Sequence, residues 1–525
     1  MRRRTLIGGM AAILAAPHVA RADDRRTLRF VPSADLAATD PIWNNAYITR
    51  LHALTVFDTL YGTATDTTVS PQMVAGHVVE NDGKTWRLTL RDGLRFHDGT
   101  PVLARDCVAS LRRWSKRDAF GTALFAVTDA LDALDDRTLV FRLSKPFPLL
   151  PAALGKNSAS VPVIMPERLS LVDAYKAVGE VVGSGPYRFV PEERLAGARA
   201  VYARNEAYIP RPDGIPSVNA GPRIANFDRL EFITIPDAAT AAAALQSGSV
   251  DWLERPLTDL LPLLRRAKGV KVEVTDPNGL IGHMRFNHLT PPFNRPAVCH
   301  AVMMAVSQLE CMNAIVGTDP ALFNDRVGLF SPISPMASDA GLPPPGASGD
   351  LAARKRELEA AGYNGERVVV LAGTDVAIND AVSEVTAETM RRLGMNVDYA
   401  ATDWGTVNQR FLSKQPVENG GWSTYCTFND GGGLANPISY NALRATGASG
   451  LPGWPDIPEI ETLRTRWLDA TTLPDQKAIC RDIQRVAMDQ AIFTVLGQFI
   501  QPAAYRDTLT NMARGIPVFT QLRKA

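Results

Sequence analysis

The chain has 525 residues, of which 46% are hydrophobic and 21% are charged. This length and composition exclude a disordered or fibrous protein and suffice for two or more lobes with a large buried core. The formal net charge is +1, and such a near-neutral chain argues against nucleic-acid binding.

The first 22 residues are predicted to be a signal peptide. Arg2–Arg4 form a charged start, Ile7–Ala16 is an apolar run too short to span a bilayer, and Ala20–Ala22 fits an A-x-A cleavage site. The mature chain would begin at Asp23 with a formal charge of −3, because four arginines and no acid are removed. The pair Arg3-Arg4 also fits a twin-arginine signal, so a Sec and a twin-arginine route both stay open. Without a lipobox cysteine or a later transmembrane stretch, we expect a free periplasmic protein.

The stretch from Lys84 to Trp114 predicts a strand, a tight turn and a helix in succession. Trp86, Leu88 and Leu90 alternate with polar residues, which is the period of a half-buried strand. Asp98-Gly99 marks a turn, since glycine accepts the positive φ that tight turns need. Apolar residues at helical spacing then follow to the end of the stretch. By themselves these elements indicate a core unit and no function.

Three more segments of the first half are interpreted as structural. Leu131–Leu143 holds a D-D-R-T turn between two apolar runs and predicts a hairpin. The glycines of Gly183–Phe189 indicate a turn rather than a phosphate loop, because a strand-like run and not a helix follows them. Ala244–Asp251 predicts the end of a helix, with Gly248 as the residue that terminates it.

A second lobe is predicted to begin near Met284–Asn287, in the second half of the chain. Val368–Leu371 predicts a buried strand, Ala381–Leu393 a helix and Met395–Tyr399 another strand. This βαβ order implies a parallel or mixed sheet with a right-handed crossover. Trp404, which follows, is predicted to be a core residue.

In their order and spacing these motifs resemble those of the peptide-type (family 5) solute-binding proteins of ABC importers. Leu103 departs from the pattern because it replaces the threonine that would cap the helix, which leaves Asp106 without its capping-box partner. Cys299 stands where the family usually has arginine, so a surface or inter-element contact would be lost. The resemblance covers nearly all of residues 24–525, and its main segments are Leu90–Gly93, Phe96–Pro101, Gly183–Phe189, Arg204–Tyr208, Ala244–Asp251, Met284–Val298 and Leu351–Tyr363.

The resemblance implies an α/β fold with two lobes, a hinge and an extra subdomain. The first lobe would take residues 23–280, with the subdomain at about 75–183 away from the ligand. The second lobe would take 281–496, and 497–525 would return to the first lobe. The implied function is that of the periplasmic substrate-binding component of an ABC transporter, which captures a peptide or peptide-like small solute between its lobes. It would deliver this solute to permease subunits in the inner membrane, as a monomer that takes no cofactor and no nucleic acid.

No catalytic or metal-binding pattern stands out, which predicts that the protein is not an enzyme. The sequence contains no G-x-S-x-G, H-E-x-x-H or P-loop motif. His283 and His288 flank Met284, but polar positions around a strand explain them better than a metal site. The five cysteines lack zinc or redox spacing, and their odd number leaves at least one thiol unpaired within a monomer.

The predicted ligand-facing stretch is Gly420–Asn441, which is rich in glycine, aromatic and amide residues. In peptide-binding relatives, an aspartate about three residues after the matching tryptophan holds the ligand's α-amino group. Tyr425 occupies that place here, which puts a plain oligopeptide ligand in doubt. Asp430 is then the nearest carboxylate. Trp422 is equally consistent with ligand stacking and with packing, and Arg410 with a ligand carboxylate or with solvent. The predicted ligand-binding residues are Trp422, Tyr425, Asp430, Asn436, Arg410 and Trp43 of the first-lobe segment 40–47.

Three alternative functions stay open. The protein could be a receptor for a non-peptide organic solute or a metal chelate, a subunit that reports a solute to a sensor without transporting it, or an exported hydrolase. Neighbouring permease and ATPase genes would favour transport over sensing, and turnover abolished by one polar substitution would favour the hydrolase.

Overall fold

The computed structural model describes residues 26–525, so the predicted signal peptide and its cleavage site lie outside the described residues. The α-helices are α1 (Tyr47–Val56), α2 (Ala104–Ser115), α3 (Ala119–Phe125), α4 (Leu150–Gly155), α5 (Glu167–Ser170), α6 (Ala238–Ser247), α7 (Leu261–Arg266), α8 (Pro296–Ala305), α9 (Gln308–Val316), α10 (Leu351–Ala360), α11 (Ala377–Arg392), α12 (Trp404–Arg410), α13 (Pro458–Asp469) and α14 (Leu473–Asp489).

The strands make two large sheets, one of four strands and two short ribbons. They are β1 (Thr27–Val31), β2 (Tyr61–Thr63), β3 (Val69–Pro71), β4 (Val74–Glu80), β5 (Thr85–Leu90), β6 (Thr128–Ala133), β7 (Thr138–Leu143), β8 (Tyr187–Phe189), β9 (Arg199–Arg204), β10 (Arg229–Ile233), β11 (Trp252–Leu253), β12 (Val270–Glu273), β13 (Leu280–Phe286), β14 (Phe323–Asn324), β15 (Arg367–Gly373), β16 (Asn396–Thr402), β17 (Thr424–Asp430), β18 (Phe493–Phe499), β19 (Ala503–Arg506), β20 (Leu509–Thr510) and β21 (Arg523–Lys524).

The first lobe is built on a seven-stranded sheet in the order β12-β19-β11-β1-β10-β9-β8. Strand β1 runs parallel to both β10 and β11, whereas β19 is antiparallel to β11 and β12. Phe30 of β1 packs against Phe232, Trp252 and Phe519, with ring centroids 4.8–5.2 Å apart. Because β19 and Phe519 come from the end of the chain, the C-terminal segment is part of this lobe.

A four-stranded antiparallel sheet in the order β4-β5-β7-β6 forms the subdomain of the first lobe. Trp86, Leu88 and Leu90 on β5 are buried, and β6 and β7 form the hairpin that the sequence predicted, so both predictions are confirmed. The capping box that Leu103 was expected to disrupt at the start of α2 is only partly lost. The Asp106 carboxylate accepts a hydrogen bond from the Leu103 backbone N–H at 2.8 Å, which is half of a capping box.

The second lobe is built on a six-stranded sheet in the order β14-β18-β13-β17-β15-β16. Strands β15 and β16 are parallel and are connected through α11, as the βαβ pattern predicted. Helix α11 begins four residues earlier than expected, at Ala377. Cys299 is fully buried in this lobe and its thiol donates to the Phe293 carbonyl at 3.2 Å, so the position belongs to the core and not to the surface.

The chain crosses between the lobes twice, through 274–279 and 500–502. The two crossings lie side by side. Gly279 has φ +54°, and a Cβ there would lie 2.4 Å from the Phe499 carbonyl oxygen, so only glycine fits this approach. The Gln498 amide donates to the Asn278 carbonyl at 2.6 Å. The predicted two-lobed α/β fold is therefore observed, with a hydrogen-bonded hinge.

Within residues 26–525, no single helix is long and apolar enough to cross a membrane. The consecutive helices α8 and α9 reach that length and hydropathy only as a pair, and they are bent by 55° relative to each other.

Candidate functional site

A cleft between the two lobes contains two adjoining cavities. The polar chamber, of about 160 Å³, is named for the hydroxyl, amide and carboxylate groups of residues such as Thr65, Asn157, Asp276 and Ser334, and it also has apolar walls, among them Phe120 and Trp467. The aromatic chamber, of about 510 Å³, is lined by Tyr47, Trp404, Phe411, Tyr425 and Phe428. Arg50, Asp430 and Ser439 line both chambers. Because both lobes supply walls, a molecule held here would contact the two lobes at once.

An ion pair crosses the cleft where the chambers meet. Nη1 of Arg50, on α1 of the first lobe, lies 2.7 Å from Oδ2 of Asp430, at the end of β17 in the second lobe. The side chains are only 7% and 17% exposed, so water screens the pair weakly. Burial lowers the pKa of Arg50, but the Asp430 carboxylate outweighs burial and the net pKa is raised. The guanidinium therefore stays charged.

Tyr47 lies between two arginines beside this pair. The guanidinium carbon of Arg50 is 4.8 Å from the centre of the Tyr47 ring, and that of Arg255 is 4.5 Å from it. Both distances are typical of cation–π contacts. Burial, followed by the nearby Glu254 carboxylate, raises the pKa of the Tyr47 hydroxyl well above its ordinary value. The Tyr47 hydroxyl is thus neutral, and its ring lies between two cations.

The hinge also contributes to the cleft. Asp276 accepts hydrogen bonds from the Asn278 backbone N–H at 3.0 Å and side-chain N–H at 2.9 Å, both through Oδ1. Burial and the Asp430 carboxylate raise the pKa of Asp276. Gly431 donates its N–H to the Gly279 carbonyl at 3.0 Å, and a Cβ on Gly431 would lie 2.2 Å from the Asn278 carbonyl oxygen. The loop after Asp430 is therefore packed directly on the first crossing segment, 274–279.

Three of the six predicted ligand-binding residues line the cleft: Tyr425, Asp430 and Asn436. The Tyr425 ring stacks on Phe411 with centroids 4.9 Å apart and forms part of the aromatic chamber. Asn436 lines the polar chamber, and its Oδ1 accepts the N–H groups of Ile438 and Ser439 at 3.0 and 2.9 Å. Its side-chain oxygen therefore shapes the loop.

The structure places the other three elsewhere, and these placements correct the sequence-based expectation. Trp422 is fully buried against Tyr425 and Trp454, and its Nε1 donates to the Ser413 carbonyl at 3.1 Å. Arg410 donates to the carbonyls of Gly420 and Gly421, both at 3.1 Å, so it supports a loop. Trp43 is 39% exposed and lines neither chamber.

Several cleft residues were not predicted. Trp404, expected in the core, is only half-buried and lines the aromatic chamber. Arg50 and Asp276 were not singled out from the sequence, and Tyr47 entered only as the last residue of the first-lobe segment 40–47. A lone arginine within the apolar helix α1 was the one sequence signal for this side of the cleft.

The subdomain is not remote from the cleft, contrary to the prediction. Phe120 and Lys156 line the polar chamber, and the Lys156 ammonium is paired with the buried Asp118 carboxylate. Lys145, which follows β7, forms a surface ion pair at 2.8 Å with Asp469 of the second lobe. The subdomain therefore contributes to one wall of the cleft and contacts the second lobe.

The two histidines considered for a metal site are both engaged in the second-lobe core. His283 is hydrogen-bonded to the Tyr440 hydroxyl and, at 2.9 Å, to the Asn429 amide. His288 Nε2 lies 3.1 Å from the Ile492 carbonyl oxygen. In the part of the chain that the structure describes, no group of three or more His, Cys, Asp or Glu residues could hold a metal ion.

Comparisons with known proteins agree with this architecture. The model of the family described as bacterial extracellular solute-binding proteins, family 5 middle, matches residues 68–440. A probable peptide ABC transporter periplasmic-binding protein, y4tO of Sinorhizobium fredii, is 35% identical over 538 residues that cover 100% of this chain and 99% of that protein.

Two solved structures have a similar fold. The periplasmic binding protein DppA of Helicobacter pylori, in complex with the peptide STSA, superposes with a TM-score of 0.78 at 19% identity, covering 96% of this chain and 99% of that one. The binding protein AgaA of A. tumefaciens R10, in complex with agropinic acid, gives a TM-score of 0.76 at 19% identity, covering 95% and 99%. At these identities the likeness shows the fold alone.

Proposed function

The chain belongs to the bacterial extracellular solute-binding proteins of family 5, the substrate-binding components of ABC importers, and we propose that it binds a peptide or peptide-like small solute in the interlobe cleft. The observation that carries this proposal is the Arg50–Asp430 pair across a cleft with a polar and an aromatic chamber. Such a site can take a solute with charged, amide and apolar parts together.

Each chamber suits one part of a peptide. The polar chamber offers amide and hydroxyl groups, such as those of Asn157, Ser158 and Ser334, which can pair with a peptide backbone. The aromatic chamber offers faces of Trp404, Tyr425 and Phe428 against which a side chain can lose its contact with water. We infer that Asp430 receives a ligand amine, since a carboxylate is the acceptor that an ammonium group needs.

Ligand capture would act through the hinge. A solute that touches Tyr47 on the first lobe and Tyr425 on the second stabilises the arrangement in which both are close. Hinge closure of this kind presents a closed surface, which a membrane permease can distinguish from an open one. We propose that the mature protein does this in the periplasm as a monomer.

The test begins with native mass spectrometry of protein purified from its own host, which would retain a tightly bound solute. Isothermal titration then measures binding of dipeptides to pentapeptides with free ends, with agropinic acid and a nickel–histidine chelate as the other two ligand classes. We expect peptides to bind with a Kd of about 10 μM or tighter. Binding of agropinic acid or the chelate without any peptide would contradict the proposal.

A further inference from the structure

We propose that Arg50, held in place by a Tyr47 ring that Arg255 supports from its other face, forms a carboxylate subsite of the cleft, so that the solute must carry a carboxylate. This inference rests on the proposed function of solute capture, and it names the chemical class of the solute. Its structural basis is the juxtaposition of two arginines on one tyrosine with a carboxylate, Asp430, already paired with one of them from the other lobe.

Both arginines have unused hydrogen-bonding capacity. Among residues 26–525, Arg50 finds a hydrogen-bond acceptor only for Nη1, and its Nε is buried without one. Arg255 makes no hydrogen bond to any described residue, and its Nε lies 3.8 Å from the nearest Glu254 carboxylate oxygen. A guanidinium has five N–H donors in a fork that matches a carboxylate. Arg50, which lines both chambers, can therefore pair with a ligand carboxylate in place of Asp430, whereas Arg255 lines neither chamber and supports Tyr47.

The contact with Asp430 shows that the Arg50 guanidinium can pair with a carboxylate in this position. A ligand carboxylate would compete with Asp430 for Arg50, and the Tyr47 ring would hold the guanidinium in place during the exchange. Once displaced, Asp430 would lie near Asp276, whose Oδ2 accepts no hydrogen bond from the described residues. A buried charge left without a partner is strongly unfavourable. An acid-bearing solute that also carries an amine satisfies both sides of the broken pair.

The test separates the carboxylate from every other feature of the ligand. The probes are dipeptides to pentapeptides that contain one phenylalanine, each prepared as a free acid and as a C-terminal carboxamide, with the amino end either free or acetylated. Affinity-selection mass spectrometry ranks them, and isothermal titration gives Kd for the best pair. We expect the acid to bind at least about tenfold tighter than its carboxamide.

Variants show which residues are responsible for binding the ligand carboxylate. Arg50→Gln combined with Asp430→Asn leaves a neutral pair in the cleft, and we expect it to fold and to lose the preference for acids. Arg255→Gln should reduce that preference by a smaller factor, because Arg255 lies outside both chambers but supports the Tyr47 ring on which Arg50 stacks. Arg117→Gln is the matched control, because Arg117 stacks on Tyr175 at 4.8 Å outside both chambers, and it should preserve the preference.

Asp430→Asn alone gives the sharpest result. It removes the carboxylate that competes for Arg50, so acetylated acids, which have no amine, should bind this variant more tightly than the wild-type protein. If Arg50 only ties the lobes together, the same variant would bind them no better.

The outcomes separate the two proposals. Equal binding of acids and carboxamides overturns the carboxylate subsite and leaves peptide capture intact. Binding of no probe in any form overturns peptide capture, and the subsite with it.

Discussion

Trp404 and Trp422 should respond in opposite ways to replacement by alanine. Both residues are tryptophans of the second lobe, but Trp422 is fully buried and Trp404 is half-buried in the wall of the aromatic chamber. Trp422→Ala should therefore reduce stability, whereas Trp404→Ala should reduce affinity. The pair tests the location of the site without knowledge of the ligand's identity.

The expected loss of stability in Trp422→Ala follows from its packing. The ring contacts Tyr425 and Trp454 with centroids 5.2 and 5.7 Å away, and its Nε1 hydrogen bond to Ser413 is lost as well. Removing such a side chain typically costs about 3–5 kcal/mol. In a unit of about 150–250 residues, which is the size of the second lobe, each kcal/mol lowers Tm by about 2–4 °C, so we expect a fall of roughly 6–20 °C.

Trp404→Ala should have the opposite effect, with a small loss of stability and a large loss of affinity. Since part of its ring is already exposed, its removal should reduce the free energy of unfolding by only about 1–2 kcal/mol. A ring that buries against a ligand contributes about 1–3 kcal/mol of binding, so affinity should fall roughly tenfold to a hundredfold.

Differential scanning calorimetry measures the stability of both variants, and isothermal titration with the solute found by native mass spectrometry measures affinity. Lys145→Ala is a suitable control, because it removes only a surface ion pair between the lobes, worth about 0–1 kcal/mol. If Trp422→Ala unfolds like the wild-type protein and loses affinity, whereas Trp404→Ala binds normally, our placement of the aromatic chamber is wrong.

Three other predictions concern acid stability, closure and processing. Burial lowers the pKa of His283 to about 3 and that of His288 to about 4, whereas a histidine in an unfolded chain has a pKa of about 6.5. The free energy of unfolding should therefore fall as pH drops from about 6.5 towards those values. His283→Gln should flatten this pH dependence in thermal unfolding measured between pH 7 and pH 5. Small-angle scattering should show a smaller radius of gyration at saturating ligand, and an unchanged radius would count against hinge closure. Intact mass of the exported protein should correspond to Asp23 as the first residue; a retained Met1 would refute the cleavage site, and unimpaired export after Arg3 and Arg4 are both changed to Lys would exclude the twin-arginine route.

Individual strands, turns and helices could be predicted because their signals are local, whereas the two-lobed arrangement was implied by the resemblance to a family. Strand β5 has a period of two in its own sequence, and Gly248 ends α6 with φ +78°, as a left-handed residue after a helix should. The βαβ unit of β15, α11 and β16 follows from the order of its elements alone. Each of these features depends on neighbours in the chain, and a single sequence contains them.

The site could be predicted only in part, because it is assembled from distant segments. Asp430 was predicted as the nearest carboxylate in a loop of suitable composition, but its partner Arg50 lies 380 residues away on a helix whose side chains gave no sign of this contact. The sequence left Trp422 open between ligand stacking and packing and placed Trp404 in the core, whereas the structure buries Trp422 and places Trp404 at the cleft. An aromatic residue in a glycine-rich stretch resembles a ligand contact whether it faces the cleft or the core. Only tertiary packing, in which Trp422 contacts Trp454 and Tyr425 stacks on Phe411, decides between the two.

The contacts of Asp430 connect binding to movement of the hinge. Gly431, the next residue, is hydrogen-bonded to Gly279 and leaves no space for a side chain against Asn278. The loop that carries Asp430 is therefore held against the first crossing segment, whereas Arg50 is fixed to the first lobe by the buried helix α1. Opening the lobes must separate Arg50 from Asp430, because the two groups belong to opposite sides of the hinge. A solute that links these two residues thus stabilises the closed arrangement directly, and one that binds only one lobe leaves the hinge equilibrium unchanged.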